Sequence, residues 1–340
     1  MRLFWLSGGQ IGLAREEITA LAGGSYKQDS SVLLTGGSFE LTRLAFTKKA
    51  YEFLFSCSRS DLRNTVKKFD WKSAYNESFS VRVHRASGEI KKDRITEQDI
   101  AAVIWDAVSD PDVDLRNAKT KIEIILTEKN AYCGILVFNN KEKFEARKTH
   151  HLPGKQPTSM DPRLARACVN LTGIREGKIL DPFCGAGGIL VEAGLMGFSV
   201  EGYDIDESVL EKCKQNFEHF GIKKYKLAIK DATTIKDKVE YVVADLPYGR
   251  GSALSDERER LYVNFLTTLA KILMKRAVIV FPDYVDHKKI IENANAKIKK
   301  AKNDKKTEMN KTNNKMTRLT IKNEFLVYIH KNLSRRIIVL

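Results

Sequence analysis

The chain has 340 residues, a hydrophobic fraction of 43% and a formal net charge of +15 at pH 7. The length favours two or three domains, and the composition is ordinary for a soluble globular protein. No apolar run approaches the roughly 20 residues of a membrane-spanning helix, and MRLFWLSGGQ has too short an apolar stretch for a signal peptide. We therefore expect a cytoplasmic protein with no membrane partner.

The charge balance is the first pointer to a partner. The chain carries 58 Lys+Arg against 43 Asp+Glu, a balance that attracts polyanions, of which nucleic acid is the commonest. A basic protein that is merely soluble is the alternative. Five cysteines without CxxC spacing favour reduced, mostly buried thiols, and the six histidines form no ligand pattern, so we expect no metal site.

Residues 1–62 predict a small α+β unit. The apolar run LFWL reads as a strand, and a helix follows with Ala14, Ile18, Leu21 and Ala22 on one face. Gly23 and Gly24 end that helix. A second helix is predicted around residues 39–55 from the apolar positions that it carries.

Residues 63–148 predict a second α+β unit. SFSVRVHR alternates strictly, as a half-buried strand does, and TEQDIAAVIWDAV gives a helix with Thr96 as N-cap. TKIEIILT and AYCGILVF follow as paired strands. Basic residues on and beside the first strand suggest an RNA-facing surface, although an ordinary solvated face is an equal alternative. These residues are Arg82, Arg85, Lys91, Lys92 and Arg94.

Residues 149–172 are predicted to link this unit to a domain spanning residues 173–340. Asp161-Pro162 starts a helix within the linker. From Lys178 the strands KILDPF, SVEGYD, KLAIKD, EYVVAD and RAVIVFPD alternate with helices, which indicates a parallel, doubly wound sheet. RLTIKNEFLVYIHK adds a strand of a closing β-hairpin. The lysine-rich stretch 287–315 fits either a mobile basic loop or the end of a helix.

The stretch ILDPFCGAGGILVEA joins a strand to a helix and predicts a ligand turn. Gly185 and Gly187 let the backbone approach a ligand closely, and Asp181 could contact an amino group. The spacing is neither GxGxxG nor a P-loop, which favours S-adenosylmethionine. Asp204 ends the next strand, where a carboxylate accepts from ribose hydroxyls, and Asp231 could accept from the adenine amine. The predicted cofactor site also includes Phe183, Ile205, Ala232 and Asp245.

The stretch ADLPYG ends the fourth strand and predicts a holder for a planar base with an exocyclic amine. Asp245 can accept one N–H, the carbonyl of Leu246, directed by Pro247, can accept the other, and Tyr248 can stack on the ring. An ordinary Asp-x-Pro turn is the structural alternative. Methylation at a pyrimidine C5 is disfavoured because it needs a cysteine nucleophile, and Cys184 is better interpreted as a small buried thiol.

These motifs resemble a known family. ILDPFCGAGGILVEA, GYDID and ADLPYG are similar to the motifs of class I, amine-directed methyltransferases. SFSVRVHR, TEQDIAAVIWDAV and VDLRNAKTKIEIILT resemble a THUMP domain, a tRNA-binding module. Three further segments resemble the archaeal tRNA (guanine-10 N2)-methyltransferases: QPTSMDPRLARACVNLTG, the N-terminal LSGGQIGLAREEITALA and the C-terminal VYIHKNLSRRIIVL. The resemblance covers nearly the whole chain except the lysine-rich stretch.

The resemblance implies a fold, a reaction and partners. It implies a seven-stranded Rossmann-like sheet with a C-terminal β-hairpin, preceded by a ferredoxin-like domain (1–62) and a THUMP domain (63–148). It implies transfer of methyl from S-adenosylmethionine to N2 of the guanosine at position 10 of tRNA, once or twice. We expect the protein to act as a monomer. Some relatives use a small activating protein partner. Leu246 departs from the commoner Asp-Pro-Pro-Tyr. Action on another tRNA or rRNA guanosine or on an adenine N6, and a non-catalytic RNA-binding protein, remain alternatives.

Overall fold

The computed structural model describes residues 1–86, 96–157, 159–248, 255–307, 317–330 and 333–340. The chain divides into two compact units, Met1–Lys141 and Glu142–Leu340. The finer division at residues 62, 148 and 172 stays a prediction. None of the helices in the described ranges combines the length and apolar character that a membrane span requires.

The first unit is built on a single mixed sheet. Its described strands are β1 (Arg2–Leu6), β2 (Tyr26–Asp29), β3 (Val32–Thr35), β4 (Thr47–Ser58), β5 (Phe79–Arg85), β6 (Thr120–Leu126) and β7 (Asn130–Asn139). Its described helices are α1 (Ile11–Ala22), α2 (Leu62–Lys68), α3 (Trp71–Ala74) and α4 (Glu97–Ala107). The strand order is β2-β3-β1-β4-β7-β6-β5. The part β2-β3-β1-β4 has the antiparallel order of a ferredoxin-like fold, and the β4–β7 pair joins it to the rest.

Two helices of this unit form as the sequence predicts. Helix α1 buries Ala14, Ile18 and Leu21 against the sheet, and Gly23 ends it with a φ of 68° that favours glycine. Helix α4 starts at a reciprocal capping box, in which Thr96 accepts from the Asp99 backbone and Asp99 accepts from the Thr96 backbone. Both helix predictions are confirmed.

The helix predicted around residues 39–55 is wrong. Only a short 3-10 turn, Leu41–Arg43, forms there, and β4 begins at Thr47. The buried carboxylate of Glu17 on α1 accepts the backbone N–H groups of Ala45 and Phe46 at 2.7 and 2.9 Å. Those donors are therefore withdrawn from any helical ladder, and the chain enters the sheet extended.

A buried polar cluster ties three strands of the first sheet together. The carboxylate of Glu123 on β6 accepts from Lys49 Nζ (2.8 Å) and from the Tyr51 hydroxyl (2.9 Å), both on β4. His84 Nε2 on β5 lies 2.8 Å from the same carboxylate. Burial alone would raise the pKa of Glu123, but the contacts with His84, Lys49 and Tyr51 outweigh it and lower the pKa to about 2.

The second unit confirms the predicted Rossmann-like sheet. Its described strands are β8 (Lys178–Asp181), β9 (Ser199–Asp204), β10 (Tyr225–Ile229), β11 (Val239–Asp245), β12 (Leu273–Pro282), β13 (Asn323–His330) and β14 (Leu333–Val339). Its described helices are α5 (Pro162–Leu171), α6 (Gly188–Leu195), α7 (Glu207–His219), α8 (Asp256–Ile272) and α9 (His287–Thr307). Strands β8 to β12 are parallel, and the β13–β14 hairpin joins antiparallel to β12. The order β10-β9-β8-β11-β12-β14-β13 reverses direction beside β8, where such sheets bind ligands.

A buried ion network joins the start of this unit and helix α5 to helix α6. Glu192 on α6 accepts from Arg147 Nε at 2.6 Å and from Arg166 Nε on α5 at 2.8 Å. Asp161 caps α5, with Pro162 in the first turn as predicted. In the lysine-rich stretch, residues 287–307 form α9, and residues 308–316 lie outside the described ranges.

Candidate active site

The carboxyl ends of the parallel strands surround a cavity of about 470 Å³. Eleven of the twelve residues predicted to bind the cofactor or the base line this cavity. One of the eleven, Leu246, is almost fully buried. Those eleven are Asp181, Phe183, Gly185, Asp204, Ile205, Asp231, Ala232, Asp245, Leu246, Pro247 and Tyr248. Four acids from four strand ends thus share one space, as the shared sheet edge predicts.

The twelfth residue, Gly187, lies beneath the glycine turn. Its φ is 83°, and a Cβ built there would lie 2.5 Å from Cys213 Sγ on α7. Gly187 therefore lets the turn pack on α7, whereas Gly185, with a φ of 50°, faces the cavity. The role predicted for Gly187 is better described as support of the turn than as ligand contact.

Asp204, at the end of β9, and Asp231, just after β10, lie at the open side of the cavity. Asp204 accepts from the backbone N–H groups of Gly185 (3.0 Å) and Asp206 (3.1 Å). These bonds fix its orientation, and each carboxylate oxygen retains a further lone pair for a ligand hydroxyl. Ile205 beside it is 76% exposed, which is unusual for a large apolar side chain and suits a stacked planar ring. Asp231 caps the 3-10 turn Ala232–Thr234 by accepting from Thr233.

The first acid, Asp181, is buried at the floor of the cavity. Its carboxylate accepts from the Phe183 backbone at 3.1 Å. Burial raises its pKa well above the ordinary value, and the negative charges of Asp245 and Asp204 add to that rise. A carboxyl group in such surroundings gains strongly from an approaching cation, and an ammonium group is one.

The fourth acid, Asp245, is part of a closed group of three side chains. Tyr248 donates its hydroxyl to Asp245 Oδ1, and Arg335 Nη2 on β14 lies 3.0 Å from Asp245 Oδ2. Arg335 Nε also donates to the Tyr248 hydroxyl at 2.8 Å. We call these three residues the Asp245 triad. Arg335 did not appear among the predicted site residues.

The turn after Asp245 is held by the surrounding sheet and helix. Leu246 donates its N–H to the Val280 carbonyl at 3.0 Å, and its side chain is buried in the core. Tyr262 on α8 donates its hydroxyl to the Pro247 carbonyl at 2.7 Å. Gly249, the last residue of ADLPYG, lies outside the described residues.

Cys184 lies under the cofactor turn. Its hydrogen bond with Cys213 and its burial both raise the pKa of its thiol, and its Sγ packs close to Gly202. A thiol kept protonated is a poor nucleophile. This environment supports the packing role expected for Cys184.

The predicted RNA-facing residues are only partly described. Arg82 and Arg85 lie on β5, and Arg82 pairs with Glu97 at 3.4 Å. That pairing offsets part of the charge expected to face RNA. Lys91, Lys92 and Arg94 fall outside the described residues.

Several cavity residues were missed by sequence reasoning. Gln156, Ser159, Met160, Lys230 and Leu261 also line the cavity. The first three belong to QPTSMDPRLARACVNLTG, a segment that resembles the family but contains no pattern typical of a ligand site. Lys230 directly precedes Asp231, so its place at a strand end could have identified it.

Two family models match the chain. The RMKL-like methyltransferase domain matches residues 150–312, within the second unit. A DNA methylase model matches residues 36–215, a range that begins in the first unit and ends inside α7.

Curated relatives match most of the chain. A tRNA (guanine(10)-N2)-dimethyltransferase of Methanothermobacter thermautotrophicus is 34% identical over 283 residues, covering 78% of this chain and 84% of the relative. The protein of the same name from Pyrococcus abyssi is 32% identical over 309 residues, covering 84% and 90%. The crystal structure of TrmN from Thermus thermophilus aligns with 99% of this chain and 98% of its own, at 19% identity and a TM-score of 0.48. The chain therefore belongs to the family of the tRNA (guanine(10)-N2)-dimethyltransferases.

Proposed function

We propose that this protein transfers methyl groups from S-adenosylmethionine to N2 of guanosine 10 in tRNA. The observation that carries the proposal is the position of Asp245 and the Leu246–Tyr248 turn on the wall of the cavity that holds the three other acids. The names of the relatives direct the proposal to guanine and to two successive transfers. The net charge of +15 supports a polyanionic substrate.

The residues around the cavity fit S-adenosylmethionine. Asp181 would pair with its ammonium group, Asp204 would accept from the ribose hydroxyls, and Ile205 and Phe183 would flank the adenine. Two observations favour this fit: Ile205 is exposed at the cavity, and the buried carboxyl of Asp181 has a raised pKa, so that a cation beside it would stabilise its charged form. When bound, this cofactor supplies an electrophilic methyl group.

Asp245 and Leu246 would align the amine of guanine. The carboxylate of Asp245 and the carbonyl of Leu246 would each accept one N–H, which directs the nitrogen lone pair toward the methyl carbon. The amine nitrogen would then take the methyl group that the bound donor supplies, and the donor's sulfur would keep the electron pair of the bond to that methyl group. One N–H proton would then pass from the nitrogen to the solvent, and the Asp245 carboxylate would stabilise the positive charge until it does.

The test is methyl transfer to a tRNA transcript. Incubation with labelled methyl donor, digestion and nucleoside analysis should give N2-methylguanosine and N2,N2-dimethylguanosine, and mapping should place them at position 10. A transcript with adenosine at position 10 is the matched control. A folded protein that binds the cofactor and produces neither nucleoside would refute the proposal.

The match to a DNA methylase model favours one second candidate, transfer to an adenine N6. The same holder would accept an adenine amine. Competition between unmodified tRNA and duplex DNA in one reaction decides between them, because label in N6-methyladenine would support only the second candidate.

A further inference from the structure

Arg335 approaches Asp245 from a distant part of the sequence. Strand β12 lies between β11 and β14, and Asp245 pairs with Val280 while Arg335 pairs with Pro282. The side chain of Arg335 crosses that strand to reach the carboxyl end of β11. Only 4% of it is exposed, and 15% of the Asp245 side chain is.

Arg335 binds both other members of the Asp245 triad. It reaches Asp245 Oδ2 at 3.0 Å and the Tyr248 hydroxyl at 2.8 Å. Its guanidinium carbon also lies 5.5 Å from the centre of the Tyr248 ring. A planar group with fixed donors that engages two partners restrains both of them.

Burial and the neighbouring side chains have opposite effects on the pKa of Asp245. Burial raises the pKa of Asp245, and the charge of Arg335 and the Tyr248 hydroxyl act against that rise. Asp181 on β8 and Tyr262 on α8 also feel the charge of Asp245, and Cys168 on α5 faces Arg335. Among these groups Arg335 is the cation that favours the charged carboxylate.

We propose that Arg335 is a positioning residue for methyl transfer, which keeps the Asp245 carboxylate ionised and aimed at the amine of the incoming base. This inference rests on the proposed function. Arg335 occupies Oδ2, and the incoming N–H would share Oδ1 with the Tyr248 hydroxyl or replace it. Without Arg335 nothing in this group of side chains would oppose the effect of burial on Asp245 with a positive charge, and a larger share of the carboxyl would be neutral, with a weaker acceptor for the amine.

The test compares Arg335→Gln and Arg335→Lys with Arg336→Gln, a change at the neighbouring arginine, which pairs with Glu324. For each variant, kcat is measured across pH, and cofactor binding and thermal unfolding are measured separately. We expect Arg335→Gln to lose about 100-fold or more in kcat with cofactor affinity changed less than about threefold. Because the pKa of Asp245 rises when the cation is removed, the acid limb of the profile moves to higher pH.

Arg335→Lys should recover part of kcat and give an intermediate acid limb, and Arg336→Gln should resemble the wild type. A folded Arg335→Gln with wild-type kcat, or with a lower kcat and an unmoved acid limb, would overturn the inference. Loss of folding in both Arg335 variants would also overturn it, since the residue would then be structural. Failure of the wild type to form N2-methylguanosine refutes the proposed function instead.

Discussion

At the scale of single residues, Asp245 has the strongest claim to a direct role. Asp245→Asn keeps the shape of the side chain but leaves a neutral amide next to Arg335. We expect methyl transfer to fall about 100-fold or more, because one preorganised charged contact is lost. Cofactor binding, measured by calorimetry, should stay within a few-fold. Glu211→Gln, on the exposed face of α7, is the charge-matched control, and turnover of Asp245→Asn near that of the control would contradict the assignment.

Gly187 offers a test in which conformation and space can be separated. Gly187→Ala and Gly197→Ala both place a side chain at a positive φ, 83° and 89°, but only the first meets a neighbour, Cys213 Sγ. Both should lose about 1–2 kcal/mol of unfolding free energy from the backbone, and Gly187→Ala should lose about 1–3 kcal/mol more from overpacking. Denaturant unfolding of both variants measures the difference.

Equal losses in the two variants would show that the turn can move away from α7. Adding Cys213→Ala to Gly187→Ala should restore part of the difference, because it removes the atom that the new methyl group meets.

Arg335 marks the limit of residue-level prediction. The strand-end acids were predictable because parallel strands place their carboxyl ends on one edge of the sheet. Arg335 and Asp245 are 90 positions apart, and their contact depends on the register of β12 with β14. The sequence of β14, LSRRIIV, contains no local pattern that would predict this register.

At the scale of elements, hydrophobic periodicity predicted regular strands and helices well and irregular ones poorly. SFSVRVHR alternates without interruption, and β5 forms over most of it. Strand β4 pairs with β7 through two register shifts, between Ala50 and Tyr51 and between Phe53 and Phe55. Such bulges break the two-residue period that would have identified β4 as a strand. The apolar spacing of residues 41–46, which lie before β4 and include only a short 3-10 turn, separately resembled a helix.

The network around Glu192 should be essential to the packing of α5 and α6. Glu192→Gln removes the buried carboxylate between Arg147 and Arg166, whose other shared carboxylate is that of the half-buried Glu142. The side chains of Glu192 and Arg166 are 1% and 4% exposed. We expect the free energy of unfolding to fall by about 3–5 kcal/mol, which is typical when one partner of a buried ion pair is removed. Glu145→Gln, which removes an 82% exposed partner of Lys148, should cost under about 1 kcal/mol. Similar unfolding free energies for the two variants would contradict the assigned role.

The polar cluster around Glu123 predicts the acid stability of the first sheet. The folded-state pKa of about 2 lies below the ordinary 4.5, so the stabilisation is complete above about pH 4.5 and is lost as pH falls toward 2. All three tryptophans, Trp5, Trp71 and Trp105, lie in the first unit, so their fluorescence follows that unit alone. Denaturation midpoints by fluorescence should fall over this window, and Glu123→Gln should flatten the dependence.

At the scale of the whole molecule, the net charge of +15 predicts how tRNA affinity responds to salt. Neutralising phosphates releases counterions, so the association constant should fall about tenfold or more between 50 and 200 mM salt. Cofactor affinity, which involves few charges, should change little over the same range. Filter binding and calorimetry measure the two, and a tRNA affinity independent of salt would contradict an electrostatic contribution to binding.

The fold was more predictable than the substrate contacts. The alternation of strands and helices after Lys178 was enough to predict the doubly wound sheet, and the preference for right-handed crossovers limits the strand orders that such a sheet can take. The RNA-facing surface was not predictable to the same degree, because exposed basic residues carry no periodic signal. Arg82, for example, turned out to be paired with Glu97.

Strand β4 has a consequence for how the first unit assembles. Its 12 residues pair with β1 along one edge and with β7 along the other, so the amides of this strand are held from both sides. A cut after residue 62 would separate β4 from β7, so one piece would expose the edge of β4 and the other the edge of β7, each a template for aggregation. Residues 1–62 and the rest of the first unit should therefore unfold together in one cooperative step. The amides of β4 should be among the slowest of the unit to exchange with deuterated solvent.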